Sequence, residues 1–422
     1  MIVRCSPALL RGTVHAIPSK SDAHRKLICA AISENGGFLP IRPPHCDDIL
    51  ATMRCLSALG AEITQTENGV QICPIKRQAH ADLDCGESGS TLRFLLPVAM
   101  AVCSDISVTG AGRLPERPIG TLTDAMSAHG VQFEKTALPL SANGNLTGGV
   151  YEIAGNISSQ FLSGLLMALP LCEQDSEIRL TTPLQSSAYV DMTLSTLRAY
   201  GAEITESTEN GLLRYHIRGR QKLHCPEKAE VDGDWSNAAF WLAAGAILPD
   251  TEITVSGLSM DSVQGDKAIF SILRDAGANI AEQNGNVTVS CGTLCPFDAE
   301  MEAIPDLLPI LAVRAAYAEG VSHFLKAERL RLKESDRLKA TADMLRALGI
   351  RCEEHPDGLT VYGGTIRGGT VNGMNDHRMV MAAAVAALGA DSAVTVTDAE
   401  AVNKSYPGFF ADYRTLGGIA EK

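Results

Sequence analysis

Long apolar runs are missing from this chain. The most apolar stretches, residues 161–172 and 239–248, reach about half the length of a membrane span and read as buried helices. Excess positive charge is missing too: 36 lysines and arginines face 49 aspartates and glutamates, for a net charge of −13. That balance argues against nucleic acid as a partner, since binders of the phosphate backbone carry basic faces. The 12 cysteines form no CxxC pair, and Cys291 and Cys295 are the closest two. No zinc site is expected; reduced cysteines in a core are. MIVRCSPALLRGTV has no signal-peptide pattern, so a cytoplasmic location is expected. What is present fits a soluble, well-buried protein: 45% hydrophobic, 20% charged, mean hydropathy +0.05.

A repeat organises the whole length. The ending LxxxG followed by a short strand, with Met126 and Tyr413 in place of leucine in two copies, occurs as CLSALGAEI, AMSAHGVQF, TLRAYGAEI, ILRDAGANI, MLRALGIRC and DYRTLGG. Its glycines are Gly60, Gly130, Gly201, Gly277, Gly349 and Gly417, spaced by 68 to 76 residues. Gly349 supplies a left-handed helix stop. Hairpin turns are expected at Asn68-Gly69, Asn210-Gly211, Asn284-Gly285 and Asp357-Gly358. Each unit reads as helix, strand, turn, strand, with more strand and helix before the next. Six units divide as three plus three, and the polar stretch from Arg218 to Asp234 is the linker candidate.

Helix starts carry the chemistry. Lys20, Ser21 and Arg25 stand at the mouth of one apolar helix, Gly86, Ser88 and Gly89 at another, and Ser158, Ser159 and Gln160 at a third. Ser186, Tyr189 and Asp191 open the next, and Arg113 lies in a loop before a repeat helix. In the second half, Asp306 precedes an apolar helix, where capping is its structural explanation. Lys333, Glu334 and Arg337 surround the start of the MLRALG helix. Asp376, His377 and Arg378 open an alanine-rich helix, with His377 read as structural, and Lys404 and Ser405 precede the last repeat. Any one of these could be an ordinary capped helix. Together they place seven cations (Lys20, Arg25, Arg113, Lys333, Arg337, Arg378, Lys404) at helix ends that favour anions, a pattern that could serve a common cleft. A phosphate carries about −1.5 to −2 charges, so the set would match two phosphorylated carboxylic acids without a metal.

SKSDAHR, GESGSTLR, RLPERPIG, SSQFLSGLLMALP, IPDLLP, RLKESDR, NDHRM and KSYPGF resemble, in order, the signature blocks of the 5-enolpyruvylshikimate-3-phosphate synthase family, from residue 18 to 410. The resemblance implies an α/β fold: a two-domain inverted α/β barrel of six βαβαββ repeats, three per domain. One domain would be residues 19–228, the other residues 1–18 plus 229–422. It implies transfer of the carboxyvinyl group of phosphoenolpyruvate to the 5-hydroxyl of shikimate 3-phosphate, by addition and elimination. No cofactor and no metal are expected, the partners are those two substrates, with neither nucleic acid nor membrane, and the chain is expected to be a monomer. Glyphosate, which competes with phosphoenolpyruvate in the family, would be an inhibitor.

By the same resemblance, Asp306, Glu334 and Lys20 are catalytic. Asp306 would take the hydroxyl proton and Glu334 would protonate the methylene carbon. Lys20, Ser21, Arg25, Ser158, Ser159, Gln160, Ser186, Tyr189, Asp306 and Lys333 would bind shikimate 3-phosphate. Lys20, Gly89, Arg113, Gln160, Arg337, Arg378 and Lys404 would bind phosphoenolpyruvate, with the missing Cβ of Gly89 allowing close approach. Two positions depart from the blocks: Glu87, where many members have Asn, and Arg329, where some have Asn. The sister enzyme, UDP-N-acetylglucosamine enolpyruvyl transferase, has a reactive cysteine in the loop that here reads GAGRLPERPIG, which contains none. A non-enzymatic anion-binding scaffold would leave Asp306 and Glu334 without a reason to accompany the cations.

Overall fold

Six helices end in the same way. In the computed structural model, which describes Met1–Lys422, Gly60, Gly130, Gly201, Gly277, Gly349 and Gly417 all have φ between +80° and +103°. They stand just past the helices Asp47–Ala58, Gly120–Ser127, Ser187–Ala199, Ile269–Asp275, Arg337–Ala347 and Phe409–Thr415. Only glycine takes that backbone without a Cβ penalty. At five of the six, the next residue returns its N–H to a carbonyl five residues back. The pairs are Ala61 to Leu56, Ala202 to Leu197, Ala278 to Leu273, Ile350 to Leu345 and Gly418 to Tyr413, at 2.8 to 3.0 Å. These bonds satisfy carbonyls that the helix end would otherwise leave bare.

A sheet follows each of these helices. Five of the six sheets have four strands in one pattern: a parallel pair, then two antiparallel neighbours, as in Ala81–Asp84, Asp105–Thr109, Leu140–Gly144 and Val131–Phe133. The sixth, Gly37–Leu39, Gly69–Cys73 and Glu62–Thr66, has three. Two hairpins turn where the dipeptides predict: Asn210-Gly211 and Asn284-Gly285 have positive φ throughout, as a two-residue turn of type I′ requires. The other two turn one residue earlier, at Glu67-Asn68 and Pro356-Asp357, because Thr66 pairs with Gly69 and His355 with Gly358. There the glycine serves a close approach instead. A Cβ on Gly69 would strike the Leu39 carbonyl of the next strand, and one on Gly358 would lie 2.5 Å from the Phe324 carbonyl.

The chain divides into two compact units, Met1–Ser19 with Asp232–Lys422, and Lys20–Val231. Each holds three sheets and its own apolar core. In the continuous unit the helices Lys20–Ile32, Gly89–Val102 and Ser159–Ala168 are buried along most of their lengths. In the discontinuous unit the counterparts are Trp235–Gly245, Leu308–Ala316 and His377–Ala386, which pack on one another. Apart from Lys20–Ile32, whose first turns carry Lys20, Asp22, Arg25 and Lys26, these helices are largely apolar around their circumference, which favours burial. The LxxxG helices pack beside them, as Asp47–Ala58 does on Lys20–Ile32 and on the strand Ala81–Asp84. Several strands alternate buried and more exposed residues, as Asp105–Thr109 and Glu252–Ser256 do. No helix is long and apolar enough to cross a membrane.

Candidate active site

The helix starts singled out by sequence fall into one cluster in each unit. In the continuous unit Ser88 and Ser158 cap their helices, Ser88 accepting from the Thr91 N–H at 3.2 Å and Ser158 from the Gln160 N–H at 3.3 Å. Gly164 brings these two helices together, since a Cβ there would overlap the Arg93 carbonyl. The approach sets Gln160 between Arg93 and Ser90: Arg93 donates to Gln160 Oε1 at 2.9 Å, and Gln160 Nε2 donates to Ser90 Oγ at 2.9 Å. Ser159 is buried beside it. Gly89 is crowded by cations, for an added Cβ would lie 2.6 Å from both Arg117 and Arg93 nitrogens. Glu87 lies against Gly112 of the Arg113 loop. Arg113 itself is half exposed, 3.4 Å from Glu116.

Lys20 opens its helix with its ammonium 2.8 Å from Asp48 Oδ2. One turn on, Arg25 is 1% exposed, and its guanidinium is spent on protein: Thr193 Oγ1 at 2.7 Å, the Ser21 carbonyl at 2.5 Å and the Tyr189 carbonyl at 2.7 Å. It also lies over the Phe94 ring at 4.9 Å. Burial brings this guanidinium down to about 10. Arg25 thus ties Ser21 to the first turn of the Ser187–Ala199 helix, where Ser186 sits in the left-handed region at φ 54° without capping by its side chain.

The discontinuous unit holds the denser cluster. Arg337, 1% exposed, donates to three carboxylates: Asp306 Oδ1 at 2.7 Å, Glu334 Oε2 at 2.6 Å and Asp376 Oδ2 at 3.0 Å. Burial alone would lower its guanidinium, but Asp376, Glu334 and Asp306 outweigh that and raise it. Asp306 is shared further, with Lys333 at 3.3 Å and with Arg378 at 3.0 Å. Desolvation draws the Lys333 ammonium below the usual lysine range against the pull of Asp306. Asp306 caps nothing: it lies inside the single turn Pro305–Leu307, and the helix after it has no side-chain cap. The capping explanation of Asp306 gives way to that of a hub for three cations.

Asp376 does cap its helix, accepting from the Arg378 N–H at 3.0 Å, while its carboxylate also takes Ser335 Oγ at 3.0 Å. Asp336 caps the Arg337–Ala347 helix through the Lys339 N–H. Lys404 donates to the Asn375 carbonyl at 2.6 Å, pinning the left-handed pair Met374 and Asn375 that leads into Asp376. His377 is 2% exposed, its Nδ1 4.0 Å from Asp376.

Several participants escape sequence reasoning. Asp48, Ser236 and Asp266 stand far along the chain from the cations they serve, and no local signal marks them. Arg117 reads in the sequence, beside Arg113, as a guanidinium suited to phosphate or carboxylate, and Arg93 is legible in principle, since it closes the quoted block GESGSTLR one turn beyond Gly89. In each unit the arrangement can bind anions, and in the discontinuous unit it also sets three carboxyl groups on one guanidinium, two of which, Asp306 and Glu334, are partly exposed, where protons can be given and taken.

Comparison with known proteins gives these clusters a context. A family model described as EPSP synthase (3-phosphoshikimate 1-carboxyvinyltransferase) matches residues 6–413. The 3-phosphoshikimate 1-carboxyvinyltransferase of Clostridium acetobutylicum is 40% identical over 99% of this chain and 97% of its own length. That of Methanocorpusculum labreanum is 39% identical over 98% and 97%. Among solved structures, EPSP synthase from Acinetobacter baumannii superposes with a TM-score of 0.82 at 25% identity, covering all of both chains. The enolpyruvyl transferase NikO from Streptomyces tendae, at 20% identity and a TM-score of 0.80, shares the fold. With its eight motif blocks inside the matched span and full-length relatives near 40% identity, the chain belongs to the EPSP synthase family.

Proposed function

We propose that this chain transfers the carboxyvinyl group of phosphoenolpyruvate to the 5-hydroxyl of shikimate 3-phosphate and releases phosphate. Family membership supports the reaction. The observation that carries the roles is Arg337, which holds Asp306 on one nitrogen and Glu334 on another. Glu334 delivers a proton to the methylene carbon of phosphoenolpyruvate, and Asp306 takes the proton of the 5-hydroxyl as its oxygen bonds to the neighbouring carbon. In the elimination Glu334 takes back a methyl proton as the bond to phosphate breaks, the departing phosphate takes the proton held by Asp306, and the double bond and both carboxyl groups are restored. Glu334 meets a cation in the absence of substrate. The arriving donor phosphate competes for Arg337, and its negative charge favours the protonated acid.

Binding roles divide by unit. In the continuous unit we assign Lys20, Ser21, Ser158, Ser159, Gln160, Ser186 and Tyr189 to shikimate 3-phosphate. Arg25 joins them through Ser21 and Tyr189, whose carbonyls it holds. Gly89, Arg113, Lys20 and Gln160 are assigned to phosphoenolpyruvate, with capped helix N-termini behind them. In the discontinuous unit Lys333 and Asp306 serve shikimate 3-phosphate, and Arg337, Arg378 and Lys404 serve the donor. Lys20 also stabilises charge during the reaction. The two compact units are the two enolpyruvyl transferase domains in this reading; the expected bounds, 19–228 and 1–18 plus 229–422, fall one residue before Lys20 and three before Val231. The chain works as a cytoplasmic monomer; the free cysteines are consistent with a reducing compartment.

The test is phosphate release from phosphoenolpyruvate, with shikimate 3-phosphate or UDP-N-acetylglucosamine as acceptor. Release is expected with the first alone. Release with the second, or with neither, overturns the reading.

A further inference from the structure

Behind the proposed base lies a second buried carboxylate. Asp266, 4% exposed, sits in the single turn Gly265–Ala268, reached from the Trp235–Gly245 helix by Ser236. Ser236 Oγ donates to Asp266 Oδ2 in a short hydrogen bond and accepts from Arg378 NH2 at 2.7 Å. The same Arg378 nitrogen donates to Asp306 Oδ2 at 3.0 Å. A chain therefore runs from Asp266 through Ser236 to Arg378 and on to Asp306. The other Asp266 oxygen has no hydrogen-bond partner, so the carboxylate makes one strong bond and is aimed along this line. A hydroxyl has a single proton to give. When the Asp266 carboxylate takes it, the Ser236 lone pairs are turned to Arg378.

The geometry points to Asp266 as a positioning residue for the reaction: through Ser236 it fixes the guanidinium of Arg378, and through Arg378 the orientation of the Asp306 carboxylate. The inference rests on the reading of Arg378 and Asp306 given above. Keeping a charge here is costly, which is why a merely structural role accounts poorly for it. Burial, then the charge of Asp306, pushes the Asp266 carboxyl up to about 6, with Asp234 adding to the rise and Arg378 and the Ser236 bond opposing it. An aspartate raised in the folded state is stabilising while protonated, and that contribution is lost as pH rises from about 4, its unfolded value, through 6. At neutral pH the ion is thus held against the fold's own stability. Below about 6 a protonated Asp266 offers its own proton to Ser236 Oγ and competes with Arg378 for it.

The test uses the full chain with Asp266→Asn, Ser236→Ala, Ser236→Thr and the Asp266→Asn/Ser236→Ala double variant. For Asp266→Asn and Ser236→Ala we expect KM for phosphoenolpyruvate to rise about tenfold or more, against less than about threefold for shikimate 3-phosphate. The double variant should be no worse than the worse single one, since both cut one chain, and Ser236→Thr, which keeps the hydroxyl, should restore most of the loss. The fall in kcat/KM for phosphoenolpyruvate below pH 6 should be shallower in Asp266→Asn than in wild type. Its melting temperature at pH 7.5 should be equal to or above that of wild type. Unchanged KM with a lowered melting temperature, or additive single effects, would overturn the inference. If the wild type itself released no phosphate, the reaction reading would fail. Positioning would then be decided by a crystal structure of Asp266→Asn: an Arg378 guanidinium moved off Ser236 and Asp306 upholds it, an unmoved one sinks it.

Discussion

Arg337 concentrates the residue-scale argument, because a guanidinium this deeply buried holds three carboxylates at once. Removing one partner from a buried ion cluster is usually costly in stability, since it leaves charge uncompensated. Asp306 is a special case. It faces Lys333, Arg337 and Arg378, and Arg337 retains Asp376 and Glu334 when Asp306 is gone. Asp306→Asn should therefore lower kcat by about 10²–10⁴, the usual worth of a general base, while the anionic substrates lose a competitor for Lys333 and Arg378. KM for phosphoenolpyruvate should stay level or fall. Glu334→Gln should lower kcat over the same range. A kcat within threefold of wild type for either variant, in steady-state phosphate release, would remove that residue from proton transfer. Much of this cluster was legible as motif: IPDLLP, RLKESDR and NDHRM supply six of its charges, Asp306, Lys333, Glu334, Arg337, Asp376 and Arg378. The pairing was not. A cap and an ion-pair hub look identical in IPDLLP, and only the fold brings residues 306, 337 and 376 to one point.

At the scale of elements, the recurring helix stop is the most readable feature of the chain, because LxxxG carries its own backbone requirement. Hairpins are less readable, for Asn-Gly and Asp-Gly mark a turn only when glycine is used for its φ. At Gly69 and Gly358 it is used for room, which depends on strands elsewhere in the sequence. The same distinction separates two of the helix stops. Gly201 and Gly277 share a left-handed φ, +87° and +92°, so alanine at either incurs the left-handed cost of about 1–2 kcal/mol. A Cβ on Gly201 meets nothing within 4 Å, whereas one on Gly277 runs into the Thr293 carbonyl. Backbone cannot rotate aside as a side chain can. Gly277→Ala should therefore destabilise by clearly more than Gly201→Ala, by about 1–3 kcal/mol of added overpacking. Denaturant melts of both variants check this; equal shifts in midpoint would mean that φ strain alone sets the cost.

For the whole molecule, the telling detail is how the chain passes between its units. It leaves the discontinuous unit at Ser19 and re-enters at Asp232, and these two ends lie side by side. The Ser19 N–H donates to the Asp232 carbonyl at 2.7 Å, the Asp234 N–H to the Ile17 carbonyl at 2.8 Å, and Pro18 bridges Gly233. Ends this close can be joined by a turn of two to four residues. Each unit has its own core and roughly 200 residues, within the range in which domains fold alone. Excising Lys20–Val231 and joining Ser19 to Asp232 through a short Gly-Ser turn should then leave a chain that melts in one cooperative step. Lys20–Val231 expressed alone should do the same. The N-terminal segment is indispensable to the first of these. Val3–Ser6 is a middle strand, antiparallel to Val394–Val396 on one side and to Ile419–Glu421 on the other, and Arg11–His15 pairs along Glu252–Ser256. Asp232–Lys422 without residues 1–19 would expose both sides of that gap and the core surface that Val3, Cys5 and Leu10 cover. Circular dichroism melts of the three fragments decide the matter: a cooperative transition in the truncated Asp232–Lys422 equal to that of the joined chain would show that the first strands are an appendage and not part of the core.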